Sequence, residues 1–105
     1  MFTRYLKKLP PDWHRTAQIF TALGDPHRQK ILLLFEPDEQ LNITQIAAVI
    51  PLSRSAVVHH LRVLREAGIL KLERSGKESL YRVNPAPLKL ALTTLLAYLD
   101  QQFRP

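Results

Sequence analysis

The chain has 105 residues, no Cys, and 15 Lys and Arg against 9 Asp and Glu, for a formal net charge of +6. That length fits one domain able to bury roughly 65% of its unfolded surface. The missing Cys excludes a disulfide framework, a thiolate metal site and a cysteine nucleophile, while the excess charge points to an anionic partner, nucleic acid ahead of a membrane surface.

Residues 53 to 82 hold seven Lys or Arg and three acids, so most of the excess lies in one contiguous segment. No run of 18 apolar residues occurs, and MFTRYLKKLPPDW lacks the long apolar core of a secretion signal. A soluble, cytoplasmic protein with no membrane partner is expected.

Phe2, Tyr5, Leu6 and Leu9 follow a helical spacing that Pro10 and Pro11 cut off. Asp12 then predicts the cap of a second helix, with Trp13, Ala17, Phe20 and Leu23 on one stripe and Gly24 past its end. Asp25-Pro26 is an N-cap followed by proline at the first helical position, and it opens the next helix. The apolar run Ile31 to Phe35 makes that helix central, and Glu36-Pro37 stops it. Glu36, Asp38 and Glu39 around Pro37 read as a solvated loop rather than a metal or acid–base pair, because no His or third ligand is adjacent. Leu41 to Ile50 predicts a short helix capped by Asn42 or Thr44 and closed by Pro51.

The next stretch, LSRSAVVHHLRVLREAGIL over residues 52–70, specifies its own ends. Ser53 is an N-cap, Leu52 can reach Val57 as a hydrophobic staple, and Gly68 supplies a left-handed C′ position beside a Leu64–Ile69 contact. Beyond it the period becomes alternating. Leu70 and Leu72 alternate with Lys71 and Glu73, Ser75-Gly76-Lys77 turns, and Leu80 to Val83 returns as the second strand of a hairpin. Asn84-Pro85 repeats the cap-and-proline signature before a last helix, from about 86 to 102.

These elements describe a mostly α (α+β) fold, a winged helix-turn-helix with a two-stranded β wing and terminal dimerisation helices. One domain spans 1–105, with dimerisation helices at 2–23 and 86–103, the helix-turn-helix at 44–67 and the wing at 69–84. At roughly 100° per residue, Val57, Leu61 and Leu64 point one way, while Ser55, His59, Arg62 and Glu66 point the other. A helix about 10–12 Å across fits the major groove, about 12 Å wide. The expected DNA contacts are therefore Ser53, Arg54, Ser55, Val58, His59 and Arg62 on this helix and Thr44 and Gln45 on the one before. Arg74 and Lys77 on the wing are expected to grip the backbone. Protonation of His59 as pH falls toward 6 is expected to strengthen phosphate contact modestly.

The same stretch, preceded by ITQIAAVI and followed by KLERSGKESLYRVN, resembles the ArsR/SmtB family of winged-helix repressors. The upstream ALGDPHRQKILLLF is similar to that family's helix opening, here Asp25, Pro26 and Arg28. The resemblance covers about residues 16 to 84. It implies a homodimer that binds a palindromic operator in double-stranded DNA and leaves it when an inducer binds. Two positions depart from the pattern: Arg54 stands where Gln is usual, and Val58 where Ser is usual. Many members carry thiolates in a Cys-Val-Cys element, where this chain has Asn42, Ile43 and Thr44, neither end of which offers a soft ligand. Others bind zinc on the last helix, but Leu88 to Phe103 has no His and one acid, Asp100, against the four ligands zinc needs. No metal site and no cofactor are expected, and the residues name no inducer.

Of the other histidines, His14 reads as a surface or interface residue, His27 as solvated and His60 as a hydrogen-bonded structural residue near the core. The last helix is apolar nearly all round, which asks for two packing surfaces. With Phe2, Leu6, Trp13 and Phe20, its Leu92, Leu95, Leu96 and Leu99 form the expected interface of a twofold dimer. Catalysis is the first rival reading. Ser55 and His59 are four apart, but no acid orients the His and no oxyanion donor is evident, so no enzyme is expected. A winged-helix module binding protein or RNA without operator specificity is the second, and salt dependence with sequence preference would separate it.

Overall fold

The computed structural model describes residues 9–104. Helices α1 (Pro11–Leu23), α2 (Pro26–Leu33), α3 (Ile43–Val49) and α4 (Arg54–Glu66) precede a hairpin of β1 (Leu70–Ser75) and β2 (Glu78–Val83), and α5 (Ala86–Gln102) follows. The expected helical segment over residues 2–9 lies outside the described residues, as do Phe2 and Leu6, except for Leu9, which is exposed and not helical.

The core gathers residues from every helix and from β1. Ile31, Ile46, Val57, Leu61, Leu64 and Ile69 are all 0% exposed, joined by Ile19, Ala22, Leu70 and Ala91. On α4 the buried positions 57, 61 and 64 are spaced 4 and 3, the period of one helical face. The strands pair antiparallel with Leu70 opposite Val83 and Ser75 opposite Glu78, leaving Gly76-Lys77 as a two-residue turn. Gly76 has φ 63° and Lys77 is not left-handed, which matches a hairpin turn with glycine first. Among the described residues no helix is long and apolar enough to cross a membrane.

Several expectations are corrected. Asp12 does not cap α1: Pro10 holds that position with no side-chain cap, and Asp12 lies in the first turn. The buried stripe is Thr16, Ile19 and Ala22, whereas Ala17 and Phe20 are exposed and Trp13 and Leu23 only half-buried. Thr16 tolerates burial because its hydroxyl donates to Asp12 O (3.0 Å). The run Ile31–Phe35 is not buried throughout. α2 ends at Leu33, which is 84% exposed, because it stands two residues and about 200° around the helix from Ile31. Leu41 is not helical. It bridges Tyr81 through paired backbone bonds (3.0 and 2.8 Å), adding one residue of sheet against β2. Asn84 does not cap α5. Its amide nitrogen donates to Gly68 O (3.3 Å) and its backbone N–H to Ile69 O (2.8 Å), tying the end of the wing to the end of α4.

Candidate nucleic-acid interface

The face in question depends on how firmly α4 is held. Ser53 Oγ accepts from Ala56 N–H (3.2 Å) at the N-terminus, with half-buried Leu52 before it and buried Val57 behind. At the C-terminus Gly68 N–H donates to Arg65 O (2.9 Å) and Ile69 N–H to Leu64 O (2.9 Å), the paired bonds of a Schellman cap. Gly68 takes φ 81°, where an L side chain costs about 1–2 kcal/mol. α3 is closed by a reciprocal capping box. Asn42 Oδ1 accepts from Gln45 N–H (2.8 Å) and Gln45 Oε1 from Asn42 N–H (2.8 Å). Asn42 also donates to Glu78 Oε1 (2.9 Å), which fastens α3 to the wing. So Asn42 is a structural cap.

Outward from this frame, Thr44, Gln45, Ser53, Arg54, Ser55, His59, Arg62, Arg74 and Lys77 are all exposed, and Val58 is half-buried. The fold thus brings the named α3 and α4 residues to the exposed side of adjoining helices and puts one wing cation, Arg74, at the end of β1 and the other, Lys77, in the hairpin turn. Three of the polar side chains carry a structural bond as well. Gln45 completes the capping box of α3, Ser53 caps α4, and Arg74 Nη1 donates to Ser79 Oγ (3.3 Å). The hydroxyl of Ser55 lies 3.2 Å from that of Ser53.

The charges on this face are free. Among the described residues one ion pair forms, Arg82 Nε to Glu73 Oε1 at 2.9 Å across the wing. The hydrogen bond and the charge of Arg82 hold the Glu73 carboxyl below its ordinary range. Arg54, Arg62, Arg74 and Lys77 have no carboxylate within 4.0 Å among the described residues.

The sequence does not reveal what lies behind the face. Arg28 Nε donates to Ala22 O (2.6 Å) and Nη2 to Thr21 O (3.1 Å), closing the end of α1, while Nη1 lies 3.1 Å from His60 Nδ1. A guanidinium can only donate, so His60 Nδ1 accepts and its proton sits on Nε2. The expected structural role of His60 is met, with a partner 32 residues away. His27 is half-buried rather than solvated, its ring 5.8 Å from that of His60 and its Nδ1 buried without a partner. The structural signal for Arg28 is Asp25, whose carboxylate accepts from His27 N–H and Arg28 N–H (2.7 and 3.3 Å) and so fixes the start of α2.

Burial, with the charges of Arg28, His59 and His27, pushes the His60 imidazole below its ordinary value of 6.5, against the opposing pull of Asp25. Between the lowered folded value and 6.5 the unfolded chain binds more protons, so stability falls as pH drops below about 6.5. A His60→Gln variant keeps an oxygen that accepts from Arg28 and cannot titrate. Thermal unfolding from pH 8 to pH 5 is expected to show a smaller loss of Tm in this variant than in the native protein. Parallel curves would remove His60 as the cause.

The remaining sites concern α1 and α5, which pack against each other. Trp13 meets Tyr98 edge-on, ring centroids 5.4 Å apart, so its indole is partly spent within its own chain. Phe20, Leu92, Leu96 and Leu99 are exposed, and Leu95 is half-buried.

A family model described as a helix-turn-helix domain matches residues 23–73. An HTH-type transcriptional regulator of Methanocaldococcus jannaschii, MJ1325, is 31% identical over 68% of this chain and 80% of its own length. A transcriptional repressor SmtB homolog of Synechocystis is 37% identical over 62% of this chain, but only 48% of that longer protein is spanned. Among solved structures, an ArsR-like transcriptional regulator from Rhodococcus sp. RHA1 superposes with a TM-score of 0.72 at 28% identity, covering 85% of this chain and 92% of its own. With the helix-turn-helix, wing and flanking helices in place, this chain belongs to the ArsR/SmtB family of winged helix-turn-helix, DNA-binding transcriptional regulators.

Proposed function

We propose that this regulator is a homodimeric repressor acting in the cytoplasm, and that residues 44–67 with the wing at 69–84 form its DNA-reading unit. Each protomer lays α4 in a major groove. Arg54 and Arg62 donate to guanine edges or phosphate, Ser55 and His59 serve either, and Val58 packs on a thymine methyl. Thr44, Gln45 and Ser53 hold the flanking backbone, and Arg74 and Lys77 grip phosphates beyond it. The observation that carries this reading is the set of four exposed cations, Arg54, Arg62, Arg74 and Lys77, left without a carboxylate around a doubly capped helix. Such charges release counterions when phosphate replaces them.

The terminal helices supply the pairing surface. The Cα radius of gyration is 16.8 Å, above the ~13 Å of a compact chain of this length, as befits half of a larger body. Twofold pairing sets two recognition helices roughly 34 Å apart, matched to a palindrome. No thiolate or zinc sensor of the usual kind belongs to this reading. The test is selection of bound duplexes from a random pool by the purified protein. The expected winner is a palindrome preferred about 10³-fold or more over random duplex, with affinity falling steeply as salt rises. Equal binding to all duplexes, or indifference to salt, would sink the proposal.

A further inference from the structure

We infer that the depression between the end of α2, the end of β2 and the start of α5 binds a small lipophilic organic cation. It is an open hollow of about 530 Å³, within the range of small-molecule sites. Leu32, Phe35, Val83 and Leu88 line it, all half-buried hydrophobics packed on the outside of the core. Such a lining favours an apolar body. Glu36, Asp38 and Glu39 line the same hollow, and none forms an ion pair among the described residues. Glu39 Oε1 accepts from Glu36 N–H (3.0 Å), a bond that leaves its charge uncompensated. The one cation lining the site, Arg82, is paired with Glu73 at 2.9 Å.

The sign of charge selects the ligand class. On a chain of net charge +6, three unpaired carboxylates beside an apolar hollow repel nucleic acid and attract a cation whose bulk is hydrocarbon. A hydrated metal ion would gain nothing from Phe35 or Leu88, and a neutral ligand nothing from the acids. The position also matters. One wall is the end of β2 at Arg82 and Val83, and another is the first turn of α5 at Leu88, so an occupant touches both the wing and the helix proposed for pairing. Where the DNA-binding reading holds, such a ligand acts as an effector; its binding to the free protein does not depend on that reading.

Titration of the full-length protein with tetraphenylphosphonium, followed by calorimetry and by backbone amide NMR, tests the inference. The expected result is saturable binding with shifts confined to residues 32–39 and 82–88. Neutral triphenylphosphine oxide should bind at least tenfold more weakly, because three screened carboxylates no longer contribute. In a Glu36→Gln, Asp38→Asn, Glu39→Gln variant with unchanged Tm, the cation should lose about tenfold while the neutral analogue is unaffected. Four outcomes overturn the inference: no saturation, equal binding of cation and neutral analogue, shifts mapping to other surfaces, or the same resonances moving with protein concentration alone, which would make a second copy the occupant.

Discussion

Replacing both Arg54 and Arg62 with Ala is expected to weaken operator binding by about a hundredfold or more while leaving Tm within a few degrees. A bidentate contact to guanine is worth roughly 1–3 kcal/mol, and each neutralised phosphate adds about 0.9 to the salt slope. A dimer carries each substitution twice, so log affinity against log salt should flatten by two to four. The fold should not feel the loss. Both side chains are exposed, neither makes an ion pair or a side-chain hydrogen bond among the described residues, and α4 is held from Ser53 and Gly68 instead. Surface changes of this kind stay within about 0.5 kcal/mol. Lys30→Gln, which removes an exposed charge from α2, controls for net charge and should change affinity only slightly. If that control falls as far as the double variant, or if the double variant binds normally, α4 is not the reading element.

That prediction rests on the part of the chain whose structure is most local. Ser53, Gly68 and the 57–61–64 spacing all act within α4 or at most two residues beyond it, so the helix and its outward face are legible without knowing the fold. The capping box at Asn42 is local in the same way. The misreadings occur where local signals conflict or where the partner is distant. Residues 13–23 carry two candidate stripes, and the larger side chains belong to the wrong one. Thr16 is polar by composition, yet the hydroxyl bond to Asp12 O lets it lie in the core, while Phe20 remains exposed. Leu41 looks like the start of a helix because nothing nearby betrays its pairing with Tyr81, forty residues on. Asn84 has the residue type of a cap and is recruited across the fold by Gly68 O.

The interface residues divide along the same line. Exposure of Arg54, Ser55, His59 and Arg62 follows from helical period alone. That His60 and Arg28 brace α4 against the end of α1 depends on atoms that only the folded chain brings together. Apolar residues nearly all round α5 likewise announce two packing surfaces without assigning them. The structure separates them. Leu88, Ala91 and Leu95 form an inner stripe, with Ala91 buried and the other two half-buried, and Tyr98 on the same line is 42% exposed but meets Trp13 of α1. Leu92, Leu96 and Leu99 form a second stripe about 100° away around the helix, and all three are exposed. Phe103, past the end of α5, is exposed too and meets Tyr98 edge-on at 5.9 Å.

The outer stripe makes the second large prediction. Its 4–3 spacing is that of a two-helix seam, where alternate knobs from each partner fill the other's holes. Leu92 and Leu96 are 58% and 59% exposed and one helical turn apart, so they sit on the same face. Substituting both with Arg places four cations across a twofold axis in a paired molecule, while in the lone chain the new side chains extend into water. Burial of two leucines per protomer is worth roughly 1.5–3 kcal/mol each, and uncompensated like charges at the seam add to the cost of association. Sedimentation of the native protein is expected to give a dimer, and of Leu92→Arg, Leu96→Arg a monomer that keeps its helical circular dichroism. Operator affinity should then fall by far more than a single contact can explain, because one half-site must hold alone. The contrast with the Arg54, Arg62 variant is the decisive feature. That variant should remain a dimer with a reduced salt slope, whereas this one should lose affinity in step with its loss of pairing and recover part of it at high protein concentration. A variant that sediments as a dimer would move the pairing surface away from the outer stripe of α5.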